Sequence, residues 1–214
     1  MSFRSLYDSP LVETLVPCVT SALVVAWALF RERGLVRAYG VVFGIAIAAD
    51  AWLNNAWSPV PPNTGWATAV GVFFVIFGDF RYFVVLQESL QNTYKLPRAV
   101  GWAFVVPVTS QILRWTFPRI EHDERSTFLL YEILFFAFAA GIATFVAPRA
   151  RDARLARAAT RFELVQYATW IAADVGLTVT NADAFHLARL AANFLYYVAF
   201  VPVMMRLLRR RERA

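Results

Sequence analysis

Seven apolar stretches of about twenty residues, separated by short charged or Pro-rich segments, dominate the pattern of this chain. A helix needs roughly 20 predominantly apolar residues to cross a bilayer. The pattern therefore predicts membrane-spanning helices over residues 11–30, 38–57, 65–86, 99–117, 127–147, 162–180 and 185–208. The expected fold class is all-α, a polytopic membrane protein forming a single transmembrane domain over residues 1–214. Composition agrees: 59% of the 214 residues are hydrophobic and the mean hydropathy is +0.49, too apolar for a soluble domain of this size. No segment resembles a cleavable signal peptide, because Arg4, Asp8 and Glu13 crowd the N-terminus and the first apolar run already has full spanning length.

The formal charge of +6 invites a nucleic-acid partner, but the placement of the basic residues assigns them to topology. Arg31, Arg33 and Arg37 follow the first span, and Lys95 and Arg98 follow the third. Arg149, Arg151, Arg154, Arg157 and Arg161 follow the fifth, and Arg206, Arg209, Arg210, Arg211 and Arg213 close the chain. That places fifteen of the 21 Lys and Arg on one side; Arg4, Arg119 and Arg125 lie on the other, and Arg81, Arg114 and Arg189 fall inside spans. By the positive-inside rule the N-terminus is outside and the C-terminus cytoplasmic, as an odd number of spans requires. The expected location is the cytoplasmic (plasma) membrane, with no nucleic-acid partner. The Pro-rich Ser58-Pro59-Val60-Pro61-Pro62-Asn63 and the acidic Glu121-His122-Asp123-Glu124 then face outward. The Arg-rich tail at 206–214 serves topology and can touch anionic headgroups.

Two tetrads share one sequence: Ile47-Ala48-Ala49-Asp50 and Ile171-Ala172-Ala173-Asp174. Each puts a carboxylate deep in an apolar span, where an ionised Asp costs roughly 2.5–3.5 kcal/mol and is expected to face protein or water. The surroundings match as well. Glu13 and Arg31 bracket the first span as Glu132 and Arg149 bracket the fifth. Asp79-Phe80-Arg81-Tyr82-Phe83-Val84 in the third span corresponds to Asn193-Phe194-Leu195-Tyr196-Tyr197-Val198 in the seventh. Helices 1–3 (about 11–90) thus look like helices 5–7 (about 127–208), with helix 4 (about 98–118) as connector. That layout is two parallel three-helix repeats.

A three-one-three layout with the N-terminus outside is similar to the SWEET and PQ-loop transporter superfamily. That resemblance implies a central substrate site faced by polar residues on the third helix of each repeat, here Asp79 and Asn193. No Pro-Gln dipeptide occurs, and the helix prolines are Pro17, Pro107 and Pro202. A more local match, Gly44 to Asp50-Ala51-Trp52-Leu53 with Ala69-Val70-Gly71-Val72-Phe73-Phe74 and Tyr82, resembles the first conserved region of the bacterial lysoplasmalogenase-like family. Asp174-Val175-Gly176-Leu177 would supply that family's later acidic helix. The chain departs from the family in having seven spans rather than eight, Ala49 before the first Asp, and no His in the third span.

Residues three, four and seven apart share a helix face. Asp50, Asn54 and Trp57 do so on the second span; Tyr167, Trp170, Asp174, Thr178 and Asn181 on the sixth; His186, Arg189, Asn193 and Tyr197 on the seventh. The fourth adds Gln111 and Arg114. Asp79 and Arg81 are about 200° apart around their helix, which separates their directions. Gly40, Gly44 and Ala48 form a small-residue ridge suited to close helix contact. So many polar groups cannot all face lipid. The candidate cavity residues are Glu13, Asp50, Asn54, Asp79, Arg114, Glu132, Trp170, Asp174, Arg189, Asn193 and Tyr197. Arg114 and Arg189 could equally neutralise Glu13, Glu132 or Asp174 and only hold helices in register.

Three functions follow as alternatives. One is transport of a small polar or zwitterionic solute, with or without proton coupling, through a cavity lined by Asp50 and Asp174. The second is an intramembrane lipid hydrolase using Asp50 and Asp174 as an acid/base pair; the third is a non-catalytic subunit of a membrane complex. A retinal photoreceptor is excluded because the chain's single Lys, Lys95, lies in a loop. One Cys and two His give no expectation of a metal site, and no cofactor is expected. Expected partners are membrane lipids and a small-molecule solute or lipid substrate, with a homo-oligomer or complex partner left open.

Overall fold

The computed structural model describes residues 2–55, 57–62, 64–90, 96–117 and 124–212. Asn63, Lys95, Arg119, Glu121, His122, Asp123 and Arg213, all named above, lie outside the described residues. In chain order the helices are α1 (Phe3–Tyr7), α2 (Val16–Arg31), α3 (Gly34–Leu53), α4 (Gly65–Leu90), α5 (Leu96–Ala103), α6 (Val105–Thr116), α7 (Glu124–Gly141), α8 (Ala153–Thr180), α9 (Ala184–Phe194) and α10 (Phe200–Glu212). Every regular element among the described residues is helical. Five stretches are long and apolar enough to cross a membrane: Leu11–Arg31, Gly34–Leu53, Gly65–Leu90, Arg125–Arg149 and Ala184–Glu212. The chain is an all-α integral membrane protein.

Prolines account for the breaks in these helices. A proline has no N–H for the carbonyl four residues earlier and its ring pushes that carbonyl aside. Wider π-helical turns occur at Leu11–Leu15, Ile142–Val146 and Leu195–Ala199, each shortly before a proline: Pro17, Pro148 and Pro202. Inserting a residue into the turn is one way a helix accommodates that loss. At the first of them the Glu13 carbonyl, deprived of Pro17, accepts instead from Asn55 Nδ2 at 3.0 Å. The stretch predicted as the fourth span is divided into α5 and α6 at Phe104, three residues before Pro107.

The sixth predicted span also changes. Helix α8 begins at Ala153, nine residues ahead of the expected start, so Arg154, Arg157 and Arg161 are helical rather than loop residues. Asp152 caps it, its side chain accepting from Leu155 N at 2.9 Å. Asn181 ends it in the left-handed conformation (φ 50°), which Asn tolerates better than most residues.

The chain packs as two compact units, Met1–Gly78 with Asn193–Ala214 and Asp79–Ala192. In the first, α2 and α3 form a tight hairpin. Gly34 makes the turn possible with φ +51°, and Gly40 and Gly44 let the helices approach. A Cβ on Gly40 would meet Met205 Sδ at 2.7 Å and Ala28 Cβ at 2.8 Å. Glu32, buried at the hairpin turn, receives Arg209 of α10 through both carboxylate oxygens, Nε to Oε2 at 3.0 Å. Arg209 also lies over the Trp27 ring. In the second unit the C-terminal half of α4 is buried almost all round, from Arg81 to Gln87. There Phe83 packs on Trp102, Phe135 and Phe138, while Phe135 stacks on Tyr167 with centroids 4.3 Å apart.

Replacing Gly40 by Val would force its branched side chain against Ala28, which has nowhere to turn. Thermal denaturation in detergent is expected to show a loss of about 1–3 kcal/mol; an unchanged midpoint would mean the hairpin has slack that the geometry denies.

Candidate functional site

Polar side chains buried within the second unit fall into two groups carried by the same buried stripe of α8. Thr160, Glu163, Gln166, Tyr167 and Asp174 recur at helical spacing on the side away from Arg161 and Val165, and all five are buried. Lower on that stripe, Asp79 of α4 accepts from the Tyr167 hydroxyl (Oδ1, 2.7 Å) and from the Tyr131 hydroxyl of α7 (Oδ2). Tyr82 and Thr160 hydroxyls pair at 2.8 Å. Glu163 is 1% exposed and feels the charges of both Arg81 and Asp79. The angular separation of Asp79 and Arg81 on α4 does not stop them from acting on one neighbour, because an arginine's long side chain carries its charge away from its Cα. Among the described residues Glu163 Oε2, Gln166 Oε1 and both amide atoms of Gln87 are buried without a hydrogen-bond partner.

The second group joins α7, α8 and α9. Arg189 Nη1 stands 3.2 Å from Asp174 Oδ1, and the Asp174 side chain is wholly buried. Glu132 is close enough to Asp174 and Arg189 for their charges to interact, and Arg125 acts on Asp174 in the same way. Glu132 and Arg125 are seven residues apart on α7 and therefore share a face. The Arg189 contact is an ion pair without hydrogen-bond alignment. Neither Asp174 oxygen, nor Glu132 Oε2, accepts a hydrogen bond among the described residues. Buried acceptors left in this condition are rare in native proteins and mark places where a ligand, ion or water supplies the donor. Two carboxylates beside two guanidinia can receive a cationic and an anionic end of one small molecule.

In the first unit Asp50 is buried and well matched. Asn54 Nδ2 donates to Oδ1 at 2.7 Å, and the Tyr196 hydroxyl lies 3.3 Å from Oδ2 and 3.4 Å from the Phe74 carbonyl. Gly78 makes room for that hydroxyl, since any Cβ there would overlap it. Tyr197 packs edge-on against Tyr196 with centroids 4.7 Å apart. Glu13 and Asn193 are half-buried in this unit. Of the remaining candidates, Trp170 places its ring edge-on to Tyr167 at 5.4 Å, and Arg114 is half-buried in the last turn of α6. Thr178 and Asn181, which continue the predicted stripe of the sixth span, are exposed.

The structure thus brings together Glu132, Asp174 and Arg189 as one group and joins Asp50 to Asn54. It places Asp79 with two tyrosines. Sequence reasoning missed Glu163, Tyr131, Thr160 and Gln166, and took Arg125 for an outside loop charge. Stepping back from Tyr167 by four and then three residues reaches Glu163 and Thr160, so the stripe was extendable; Glu163 and Gln166 already lay within the predicted span, and only Thr160 fell outside its assumed start. Comparison with protein-family models, with curated proteins and with solved structures finds no match.

Among the described residues, Arg81 is the guanidinium that acts on both Asp79 and Glu163. Arg81→Gln leaves two buried acids without it and is expected to cost about 3–5 kcal/mol. Glu163→Gln leaves Asp79 and Arg81 matched and is expected to cost under about 1 kcal/mol. Equal losses on denaturation would show that the charges are not balanced in this way.

Proposed function

We propose that this chain is a membrane transporter for a small polar or zwitterionic solute, and that Glu132, Asp174, Arg189 and Arg125 form the group that holds it. The observation that carries this reading is that both carboxylate oxygens of Asp174 and Oε2 of Glu132, buried beside Arg189, accept no hydrogen bond among the described residues. A purely structural pair would gain from full alignment, because a buried ion pair repays its desolvation only when its remaining lone pairs are satisfied. A solute ammonium would donate to the acids, and a solute carboxylate would accept from the guanidinia in place of part of the present pairing. Ionisable groups inside apolar helices mark substrate or ion pathways more often than they serve packing alone.

The proposal includes the finer topology. Alongside the five long apolar helices, α5 with α6 and the apolar part of α8 complete seven crossings, with the N-terminus outside and the C-terminus cytoplasmic. The two Ile-Ala-Ala-Asp tetrads then belong to two parallel repeats, with Asp50 the counterpart of Asp174. Support comes from the tetrads and from the placement of the basic residues.

Proteoliposomes loaded through an imposed gradient and offered a panel of labelled amino acids and other small zwitterions test it. Uptake of at least one solute is expected, falling roughly 10- to 150-fold in Asp174→Asn and Arg189→Gln, the loss of one charge-assisted hydrogen bond. Both variants are expected to elute as folded protein. Full-rate uptake by both, or no uptake of any solute by the unaltered protein, would remove the reading.

A further inference from the structure

The exposed face of α8 changes character abruptly. Going down the helix, the outward positions are Arg154, Arg157, Arg161, Val165, Ala168, Ala172, Val175 and Val179, all exposed. At about 100° per residue these eight fall within an arc of roughly 80°, one continuous stripe. Its first two turns are entirely basic, and from Val165 onward it is aliphatic, with Val165 58% and Val179 77% exposed. An aliphatic stripe facing outward on a helix within the bilayer faces acyl chains. With the apolar part of α8 crossing the membrane as proposed above, on which this inference rests, the step from Arg161 to Val165, about 6 Å of helix rise, falls where acyl chain gives way to headgroup.

We infer that Arg154, Arg157 and Arg161 form a binding site on α8 for the phosphate headgroup of an anionic phospholipid whose acyl chains lie along Val165 to Val179. Three features select this occupant. The guanidinia span about 10 Å along the helix axis, so they meet headgroups at the membrane edge. Arginine offers paired donors that match phosphate oxygens. None of the three is in an ion pair or hydrogen bond of its side chain among the described residues. By contrast, Arg209 is held by Glu32, Arg37 donates to the Glu32 carbonyl and Arg149 donates to the Phe145 carbonyl. The acid nearest in sequence, Glu163, points to the buried side of the helix, and Asp152 is engaged as the cap. A soluble acidic protein would meet the same charges but would have no use for the aliphatic continuation of the stripe.

The test compares lipid retention by native mass spectrometry after reconstitution in phosphatidylcholine vesicles containing phosphatidylglycerol. Two charge-matched triple variants are needed. One is Arg154→Gln with Arg157→Gln and Arg161→Gln; the other is Arg33→Gln with Arg206→Gln and Arg210→Gln, three exposed arginines that are not on α8. The unaltered protein is expected to retain phosphatidylglycerol over phosphatidylcholine. The α8 variant is expected to lose that preference by at least about tenfold, while the second variant keeps it. Equal loss in both variants would reduce the effect to net charge, and full retention by the α8 variant, or no preference in the unaltered protein, would overturn the site. Single replacements at each α8 arginine provide the same comparison should the triple variant fail to fold. The outcome is independent of whether any solute is carried.

Discussion

Charge inside an apolar helix must be matched by the protein itself, because lipid offers it nothing. Asp50, Asp79, Arg81, Glu132, Glu163 and Asp174 are all buried. Each is answered in a different currency of donors and charges. Asp50 takes an amide and a phenol, Asp79 takes two phenols, Asp174 takes a guanidinium at ion-pair distance, and Glu163 lies within the field of Arg81. The completeness of the match separates them. Asp50 and Asp79 have both oxygens occupied, whereas among the described residues Asp174, Glu132 Oε2 and Glu163 Oε2 are left without a hydrogen bond. What sets the Glu132–Asp174–Arg189 group apart from Glu163 is two acids beside two guanidinia, and the transporter reading proposed above rests on that arrangement.

Backbone chemistry sets where those groups stand. Prolines at 17, 148 and 202 follow widened turns, and a widened turn rotates everything beyond it relative to a regular helix. The turn at Leu195–Ala199 carries Tyr196, whose hydroxyl reaches Asp50 and depends on the missing side chain at Gly78. Glycines at 40 and 44 close the α2–α3 hairpin, and at its turn the Glu32–Arg209 contact ties α10 to the hairpin. Packing and polar matching are thus coupled: the same small residues that permit close helices also bring donors within reach of acids.

Much of this was legible in the sequence. Hydropathy alone located the apolar helices, since lipid demands an unbroken run of apolar residues and the run is visible without any contact information. Helical spacing grouped Asp50 with Asn54, and the recurrent tetrads pointed to Asp174. What escaped was of two kinds. Helix α8 runs two turns beyond its apolar part because arginines are good helix formers, and hydropathy reads such turns as loop; Thr160 was lost with them, while Glu163, just inside the predicted span, needed its partners on α4 to be recognised. Tyr131 and Glu32 were missed because an amphipathic phenol or a loop acid gains its role only from a partner far along the chain, Asp79 in one case and Arg209 in the other. The division of the fourth predicted span at Phe104 had a visible cause in Pro107, but a proline inside an apolar run is tolerated in membrane helices often enough not to announce a break.

The reading of the chain as a transporter stands on the Glu132–Asp174–Arg189 group being reached by water and by a solute rather than locked as a structural pair. Arg189→Cys in a Cys18→Ser background, reconstituted in vesicles, examines this directly, with a thiol at the exposed Ser5 as control. A charged, membrane-impermeant thiol reagent is expected to react at position 189. Silence at 189 while the control reacts would show a sealed structural lock and contradict the account.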